Sequence, residues 1–128
     1  DLMTYLGINR AYSFLPSGEL DFQAFGVYFD YAIAQSVVTH LSLSQIRRLF
    51  ANLSEVMRPD GGKFVFTFTT NPFPYEIFYE EEYPMIAPEG LDETKLMSEA
   101  ARAGVRRLSV YETKQPHPTG QVTAVAEF

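Results

Sequence analysis

The chain is apolar at nearly every position between residues 29 and 38. A strand covered by helices on both faces has this pattern, whereas a strand with one wet face alternates apolar and polar residues. We therefore predict a central strand, buried on both faces, at 29–38. Upstream, aromatic residues before a Pro-Ser-Gly stop predict a short strand at 12–15, and residues 19–26 predict a loop.

The pattern then changes from strand to helix. Ser42 and Gln45 have the spacing of a capping box, in which the Ser hydroxyl accepts an early helix N–H and the Gln side chain returns to the cap. After them, apolar residues at steps of three and one form a single stripe that should face the sheet. The stripe consists of Ile46, Leu49, Phe50, Leu53, Val56 and Met57.

A turn rich in proline and glycine follows this helix. Pro59 ends the helix, and Gly61 and Gly62 turn the chain into residues 63–70, whose β-branched and aromatic side chains predict a strand. A strand, a helix and a second strand of these lengths predict a right-handed crossover between parallel neighbours. Residues 71–90, which are rich in proline and aromatic side chains, predict a packed loop or lid.

The last part of the chain predicts a second helix and a hairpin. We expect the helix at 92–103, because Asp92 is a good N-cap residue and Gly104 is a typical C-terminal stop. Residues 105–111 and 121–128 alternate in polarity as two strands do. The turn-rich residues between them predict an antiparallel β-hairpin.

The composition fits one domain over residues 1–128. With 46% hydrophobic residues, a chain of 128 residues can bury a core of its own. Its net charge of −6 opposes binding to phosphate backbones, so we expect no nucleic-acid partner. The absence of cysteine excludes disulfides, thiolate metal ligands and cysteine nucleophiles. Three adjacent glutamates at 80–82 do not converge on one ion, so we expect no metal site.

The sequence also gives expectations about location. It has no run of about 18 apolar residues that would cross a bilayer, and its first residues show neither a basic region nor an apolar signal core. We therefore expect a soluble chain without a membrane partner and with a cytoplasmic location, which fits the absence of cysteine. Because the chain begins with Asp1, we expect it to be truncated at its N-terminus.

Two motifs and the order of the elements resemble class I S-adenosylmethionine-dependent methyltransferases. In that family a Phe-Asp pair opens a buried fourth strand, and an Arg-Pro-Gly-Gly turn opens the fifth. The matching residues here are Phe29 and Asp30, and the segment 58–62. The resemblance covers about 100 of the 128 residues. It implies an α/β, Rossmann-like open sheet, mostly parallel with a terminal antiparallel β-hairpin, and S-adenosylmethionine as cofactor.

The sequence also departs from the family pattern. Members of the family hold the cofactor on a glycine-rich turn after their first strand, and an acidic residue that ends the second strand binds the ribose hydroxyls. Gly7 and Gly18 stand alone in this chain, and a lone glycine is typical of a turn. The resemblance therefore implies the C-terminal part of a catalytic domain, which should bind the cofactor poorly or not at all when alone.

Four residues are candidates for the ligand site that the resemblance implies. Gln35 and Ser36 fall near the carboxyl end of the predicted strand, where open α/β sheets bind ligands, and the matching family segment lies beside the methionine part of the cofactor. The alternative is a strand end hydrogen-bonded to a neighbouring loop. Glu19 matches a region where the family places an acidic or amide side chain against adenine; otherwise it is an exposed loop carboxylate. His40 resembles a family His that faces the substrate and could accept its proton, or it helps to cap the next helix.

Two hypotheses for function follow. The first is methyl transfer to a small-molecule acceptor, by in-line attack of an oxygen, nitrogen or carbon atom on the sulfonium methyl, while the protein positions the reactants and excludes water. The second is a non-catalytic methyltransferase-like interaction module. Without the first two strands of the family, the strand at 29–38 lacks a neighbour, and an open apolar edge tends to pair with another chain. This hypothesis predicts a homodimer through the exposed sheet edge.

Overall fold

A computed structural model describes residues 18–69, 92–111 and 121–128 of the chain. These residues form four strands and two α-helices in the order strand, helix, strand, helix, strand, strand, with two short 3₁₀ turns before the first α-helix. The strands are β1 (Tyr31–Ala34), β2 (Lys63–Phe68), β3 (Arg107–Tyr111) and β4 (Val122–Glu127). The helices are α1 (Leu43–Ser54) and α2 (Glu93–Arg102), and the 3₁₀ turns are Gln23–Phe25 and Val38–His40.

The strands form one sheet in the order β1-β2-β4-β3. β1 and β2 pair in parallel, whereas β4 pairs antiparallel with both β2 and β3. Of the four described strands, three therefore run in one direction and β4 runs against them. The predicted fold class, an α/β Rossmann-like sheet that is mostly parallel and has a terminal antiparallel hairpin, is confirmed. The hairpin partner β4 lies between β2 and β3.

The predicted capping box and apolar stripe both form in α1. Ser42 Oγ accepts the Gln45 N–H at 3.3 Å, and Gln45 Oε1 accepts the Ser42 N–H at 2.8 Å. All six predicted stripe residues are buried, but the helix ends at Ser54, earlier than predicted, so that Val56 and Met57 lie in the turn that follows it. At the second helix, Asp92 Oδ1 accepts the Lys95 N–H at 2.7 Å, as expected of a cap, and Gly104 follows the helix with a left-handed φ of 86°.

The core lies between the two helices and one face of the sheet. Phe50 of α1 meets Phe64 and Phe66 of β2 edge to face, with ring centroids 6.2 and 5.8 Å apart. Leu96 and Ala100 of α2 belong to the same buried cluster. The described helices thus cover the face of β2 that carries its phenylalanines. This face of the sheet packs against α1 and α2 to form the core.

The residues just before β1 contact the turn that joins α1 to β2. Phe29 donates its N–H to the Val56 carbonyl at 2.8 Å and accepts the Arg58 N–H at 2.9 Å. The side chains of Asp30 and Arg58 form an ion pair at 3.1 Å. The Phe-Asp pair and the turn at 58–62, recognised separately in the sequence, therefore contact each other.

The prediction of a strand buried on both faces at 29–38 is wrong in length and in burial. β1 has only four residues, and it lies at the end of the described sheet. Its side chains alternate: Tyr31 and Ile33 are 69% and 79% exposed, whereas Ala32 and Ala34 are half-buried. The strand ends early because Ser36 adopts a left-handed φ of 56°, which turns the chain out of the sheet.

The other predicted elements are close to their observed bounds or lie outside the described residues. The loop predicted at 19–26 contains the 3₁₀ turn Gln23–Phe25. The strand predicted at 12–15 and the lid predicted at 71–90 fall outside the described residues. Within the part that is described, no helix has the length and apolar character needed to cross a membrane.

Candidate functional site

A polar cluster joins the carboxyl ends of β1 and β2 to the start of β4. Ser36, just after β1, donates its backbone N–H to Thr67 Oγ1 at 2.8 Å and its hydroxyl to Gln121 Oε1 at 3.1 Å. Thr67, near the end of β2, donates its own hydroxyl to the same Gln121 oxygen at 2.7 Å. The carboxyl edge of parallel strands is where ligands bind in open α/β sheets. The predicted location of the site therefore carries an ordered set of polar groups.

Ser36 is the strained residue of this cluster. Its left-handed φ of 56° is costly for a residue with a Cβ atom, on the order of 1 kcal/mol. The conformation is held by its neighbours, because Thr39 Oγ1 also donates to the Ser36 carbonyl at 3.3 Å. Strain that the surroundings hold in place is common at ligand sites.

Two further predicted residues lie on the same connection between β1 and α1. Gln35 is exposed and directly precedes Ser36, while His40 is half-buried at the end of the 3₁₀ turn Val38–His40. The N-cap of α1 is Ser42. The structure therefore brings Gln35, Ser36 and His40 onto one short segment at the carboxyl edge of the sheet.

Glu19 lies on a different element from these three residues. Its carboxylate, on a side chain that is 80% exposed, pairs with Arg48 on the polar side of α1. Asn52, one turn further along the helix, donates its Nδ2 to the Leu20 carbonyl at 2.8 Å. The partners of Glu19 are thus on α1, whereas those of Ser36 are on β2 and β4.

An apolar groove lies beside β1 and extends to Val37, the residue that follows Ser36 of the polar cluster. Its volume is about 340 Å³, which lies in the range of small-molecule pockets. Leu20 and Phe22 line it from the loop, Val37 borders it beside Ser36, and Leu53 and Phe64 line it from the core. Apolar walls with a few polar groups at one end are typical of ligand sites.

Sequence reasoning did not single out Thr67 or Gln121 as site residues. Thr67 lies on the face of β2 opposite its phenylalanines, and a hydroxyl near the carboxyl end of an apolar strand is the signal that could have identified it. Gln121 immediately precedes β4, and it reaches the cluster only because β4 lies beside β2.

A second polar group, Arg47 and Glu99, joins α1 to α2. Glu99 is only 5% exposed, and Arg47 binds it through two hydrogen bonds, Nε to Oε2 at 2.8 Å and Nη2 to Oε1 at 2.9 Å. Arg102 lies 3.8 Å from Glu99 Oε1. The hydrogen bonds from Arg47 lower the pKa of Glu99 even though burial acts to raise it. This pair holds the two helices together and belongs to neither the groove nor the Ser36 cluster.

The lowered pKa of Glu99 predicts a loss of stability in acid. Because the folded-state pKa lies below the ordinary glutamate value of about 4.3, the contribution is present above that value and is lost as the pH falls through the folded-state pKa. We expect the free energy of unfolding, measured by urea denaturation at several pH values, to fall in this acidic range. The Glu99→Gln variant should show a shallower fall. An unchanged acid slope in this variant would contradict the assignment.

Among the described residues, no three His, Asp or Glu side chains come close enough together to hold a metal ion. The side chains that form the groove and the cluster at the carboxyl edge are apolar groups, hydroxyls and an amide.

Comparisons with known proteins identify the fold. No family model matches the chain, and no curated protein matches it either. Among solved structures, an O-methyltransferase family protein from Burkholderia thailandensis aligns with 98% of the chain at 10% identity, with a TM-score of 0.66. The S-adenosylmethionine-dependent methyltransferase SibL, solved in its apo form, also aligns with 98% of the chain, at 12% identity and a TM-score of 0.66.

Human N-acetylserotonin methyltransferase, solved in complex with S-adenosylmethionine, aligns with 77% of the chain at 12% identity and a TM-score of 0.55. At such identities the likeness shows the fold, and the chain has a class I methyltransferase-like fold. The chain spans 38% of the length of the first two structures and 29% of the third.

Proposed function

We propose that this chain forms the C-terminal part of the catalytic domain of an S-adenosylmethionine-dependent methyltransferase that acts on a small molecule. The observation that supports the proposal best is the apolar groove that reaches a polar cluster at the carboxyl edge of a methyltransferase-like sheet. Human N-acetylserotonin methyltransferase, which shares this fold, is described in complex with S-adenosylmethionine.

Each residue of the site has a role in this proposal. When bound, the cofactor supplies a methyl group activated by a positive sulfur. The chain's own residues bind and orient: Gln35 offers its amide beside the cofactor, Ser36 offers the lone pairs of a hydroxyl whose proton Gln121 accepts, and the apolar groove excludes water from the ligand. Glu19 is the proposed acceptor on the adenine side, and this role requires its carboxylate to exchange Arg48 for the ligand.

His40 is the proposed base for the acceptor. Neutral imidazole can take the proton that an acceptor oxygen or nitrogen loses when it attacks the methyl group. Such a base raises the rate by about 10²-fold or more. If His40 has this role, replacing it with Gln should lower kcat and leave the affinity for S-adenosylhomocysteine unchanged. Equal losses in both quantities would assign His40 to binding or folding instead.

Binding of S-adenosylhomocysteine to the 128-residue chain tests the proposed site. Because no glycine-rich turn is found in the sequence, we expect weak binding, with a dissociation constant on the order of 1 mM. Amide shifts in a nitrogen–proton correlation spectrum detect such binding residue by residue. We expect the largest shifts at Gln35, Ser36 and Val37, with adenosine and methionine as controls for each half of the ligand.

The outcome of this titration separates binding at the site from adventitious contact. Shifts confined to the Arg47 and Glu99 region would contradict the proposed function. An absence of shifts at several millimolar ligand would contradict binding by this chain alone, and it would favour the non-catalytic interaction module. Shifts at the site with S-adenosylhomocysteine but none with adenosine would favour contact with the methionine part of the ligand.

The exposed apolar strand β1 favours a second candidate, the non-catalytic interaction module. Tyr31 and Ile33 are large apolar side chains that solvent reaches, and within the described residues only β2 pairs with β1. An apolar edge strand of this kind promotes pairing with another chain. The candidate requires a dimer in light scattering that the Ile33→Lys substitution abolishes, together with no response to S-adenosylhomocysteine.

A further inference from the structure

Ser36 is held through all three of its polar groups. Its N–H donates to Thr67, its hydroxyl donates to Gln121, and its carbonyl accepts the hydroxyl of Thr39. Thr39 belongs to the same connection as Ser36, whereas Thr67 and Gln121 lie 31 and 85 positions away along the chain. The conformation of this residue therefore depends on two strands that are remote in sequence.

The direction of each hydrogen bond in the cluster is fixed by the number of protons available. A threonine hydroxyl has one proton, and Thr67 donates it to Gln121 Oε1 at 2.7 Å. A lone pair of Thr67 Oγ1 is then free to accept the Ser36 N–H at 2.8 Å. Gln121 Oε1 accepts two hydroxyl protons, one from Thr67 and one from Ser36, which uses both of its lone pairs. The cluster is thus a closed set in which no hydroxyl proton is in conflict.

We propose that Thr67 and Gln121 are positioning residues, which hold Ser36 in the left-handed conformation and thereby set the ligand-facing edge of residues 35–37. The turn at Ser36 ends β1 and places Val37 against the apolar groove. If Ser36 returned to an extended conformation, the strand would continue and Val37 would move away from the groove. The part of this inference that concerns the ligand rests on the proposed function, whereas the part that concerns the conformation does not.

The chain offers a matched control for testing Thr67. Thr123 is the cross-strand partner of Thr67 in the β2–β4 pairing and is half-buried as Thr67 is, but it does not take part in the hydrogen bonds of the Ser36 cluster. Replacing either threonine with valine removes a hydroxyl and keeps the shape of the side chain. A difference between Thr67→Val and Thr123→Val therefore reports the hydrogen bonds rather than the loss of a polar group on this face of the sheet.

The first measurement is the conformation of Ser36 by nuclear magnetic resonance. In a left-handed residue the amide proton lies close to its own α proton, so a strong nuclear Overhauser effect between the two reports a positive φ. We expect this signal in the wild type, in Thr67→Ser and in Thr123→Val, and its loss in Thr67→Val. Retention of the signal in Thr67→Val, or an equal loss in Thr123→Val, would overturn the proposal. If Thr67→Val does not fold, Gln121→Met serves as the second variant, with the same expected loss.

The second measurement is the affinity for S-adenosylhomocysteine, followed by the same amide shifts. If the left-handed conformer falls to about a tenth of the molecules, the apparent dissociation constant should rise about tenfold in Thr67→Val, with Thr67→Ser and Thr123→Val unchanged. A wild-type chain that does not respond to the ligand contradicts ligand binding by this chain alone, because the Overhauser measurement still decides the positioning role. A wild-type response with equal affinity in all three variants contradicts the positioning role alone.

Discussion

Replacing Phe66 with alanine should lower the free energy of unfolding by about 3–5 kcal/mol, the usual cost of removing a buried aromatic ring. Phe66 is completely buried in the middle of β2. Its ring stacks on Phe64 at 4.7 Å between centroids and meets Phe50 of α1 at 5.8 Å and Phe68 at 6.1 Å. The substitution therefore empties the place where α1 is held against the sheet, and the neighbouring rings can fill it only in part.

Urea denaturation followed by far-ultraviolet circular dichroism measures this loss. Val65→Ala is the matched control, because Val65 lies next to Phe66 on the same strand but on the other face, where it is only half-buried. We expect the control to cost about 1 kcal/mol. Equal losses in the two variants would show that the phenylalanine face of β2 is not the face that holds the core.

Replacing Gly62 with alanine should be the second large effect. A Cβ atom at this position would lie 2.8 Å from both the backbone nitrogen and the carbonyl oxygen of Arg58, and 3.1 Å from Met57 Cβ. The backbone of Arg58 cannot withdraw easily, because Gly62 donates its N–H to the Arg58 carbonyl at 2.9 Å and accepts the Phe128 N–H at 3.0 Å. Relieving the clash means opening the turn or moving the last residue, which should cost about 1–3 kcal/mol.

Thermal or urea unfolding of Gly62→Ala measures this cost, and Gly18→Ala is the control. At Gly18 a Cβ atom would meet nothing within 4 Å, so we expect a change within about 0.5 kcal/mol. A Gly62→Ala variant as stable as Gly18→Ala would mean that the turn at 58–62 does not pack as described.

Features that depend on neighbours in the sequence could be predicted. The capping box of Ser42 and Gln45, the apolar stripe of α1 and the Asp92 cap all formed as expected, because each is decided within a few residues. The turn at 58–62 was predictable for the same reason. The parallel pairing of β1 with β2 and the antiparallel hairpin of β3 and β4 also followed from the order of the elements, since few topologies satisfy it.

The extent of β1 could not be predicted from its apolar residues. Hydrophobicity indicates that a segment can be buried, but it does not tell whether another element covers it, and Ile33 remains mostly exposed in the structure. The end of the strand depends on the left-handed turn at Ser36, and a serine gives no sequence signal for a positive φ as a glycine would.

For the candidate site, the sequence indicates a position but not the partners of its residues. Gln35 and Ser36 were proposed because ligand sites lie at the carboxyl ends of parallel strands, and His40 was proposed from the family resemblance; all three roles stay predictions. The contact of Thr67 with Gln121 joins residues 54 positions apart and exists only because β4 lies beside β2. Glu19 was placed by its position in a loop, and its ion pair with Arg48 depends on how that loop lies across α1.

The position of β4 between β2 and β3 has a consequence for how the chain acquires its structure. β2 and β3 are synthesised before β4. They do not pair with each other, and each of them pairs with β4. During synthesis, the growing chain therefore exposes two unpaired strand edges until β4 leaves the ribosome. Pairings between residues so far apart form slowly. Completion of the sheet should thus be a late, cooperative event, and partly made chains are the species that chaperones would have to protect.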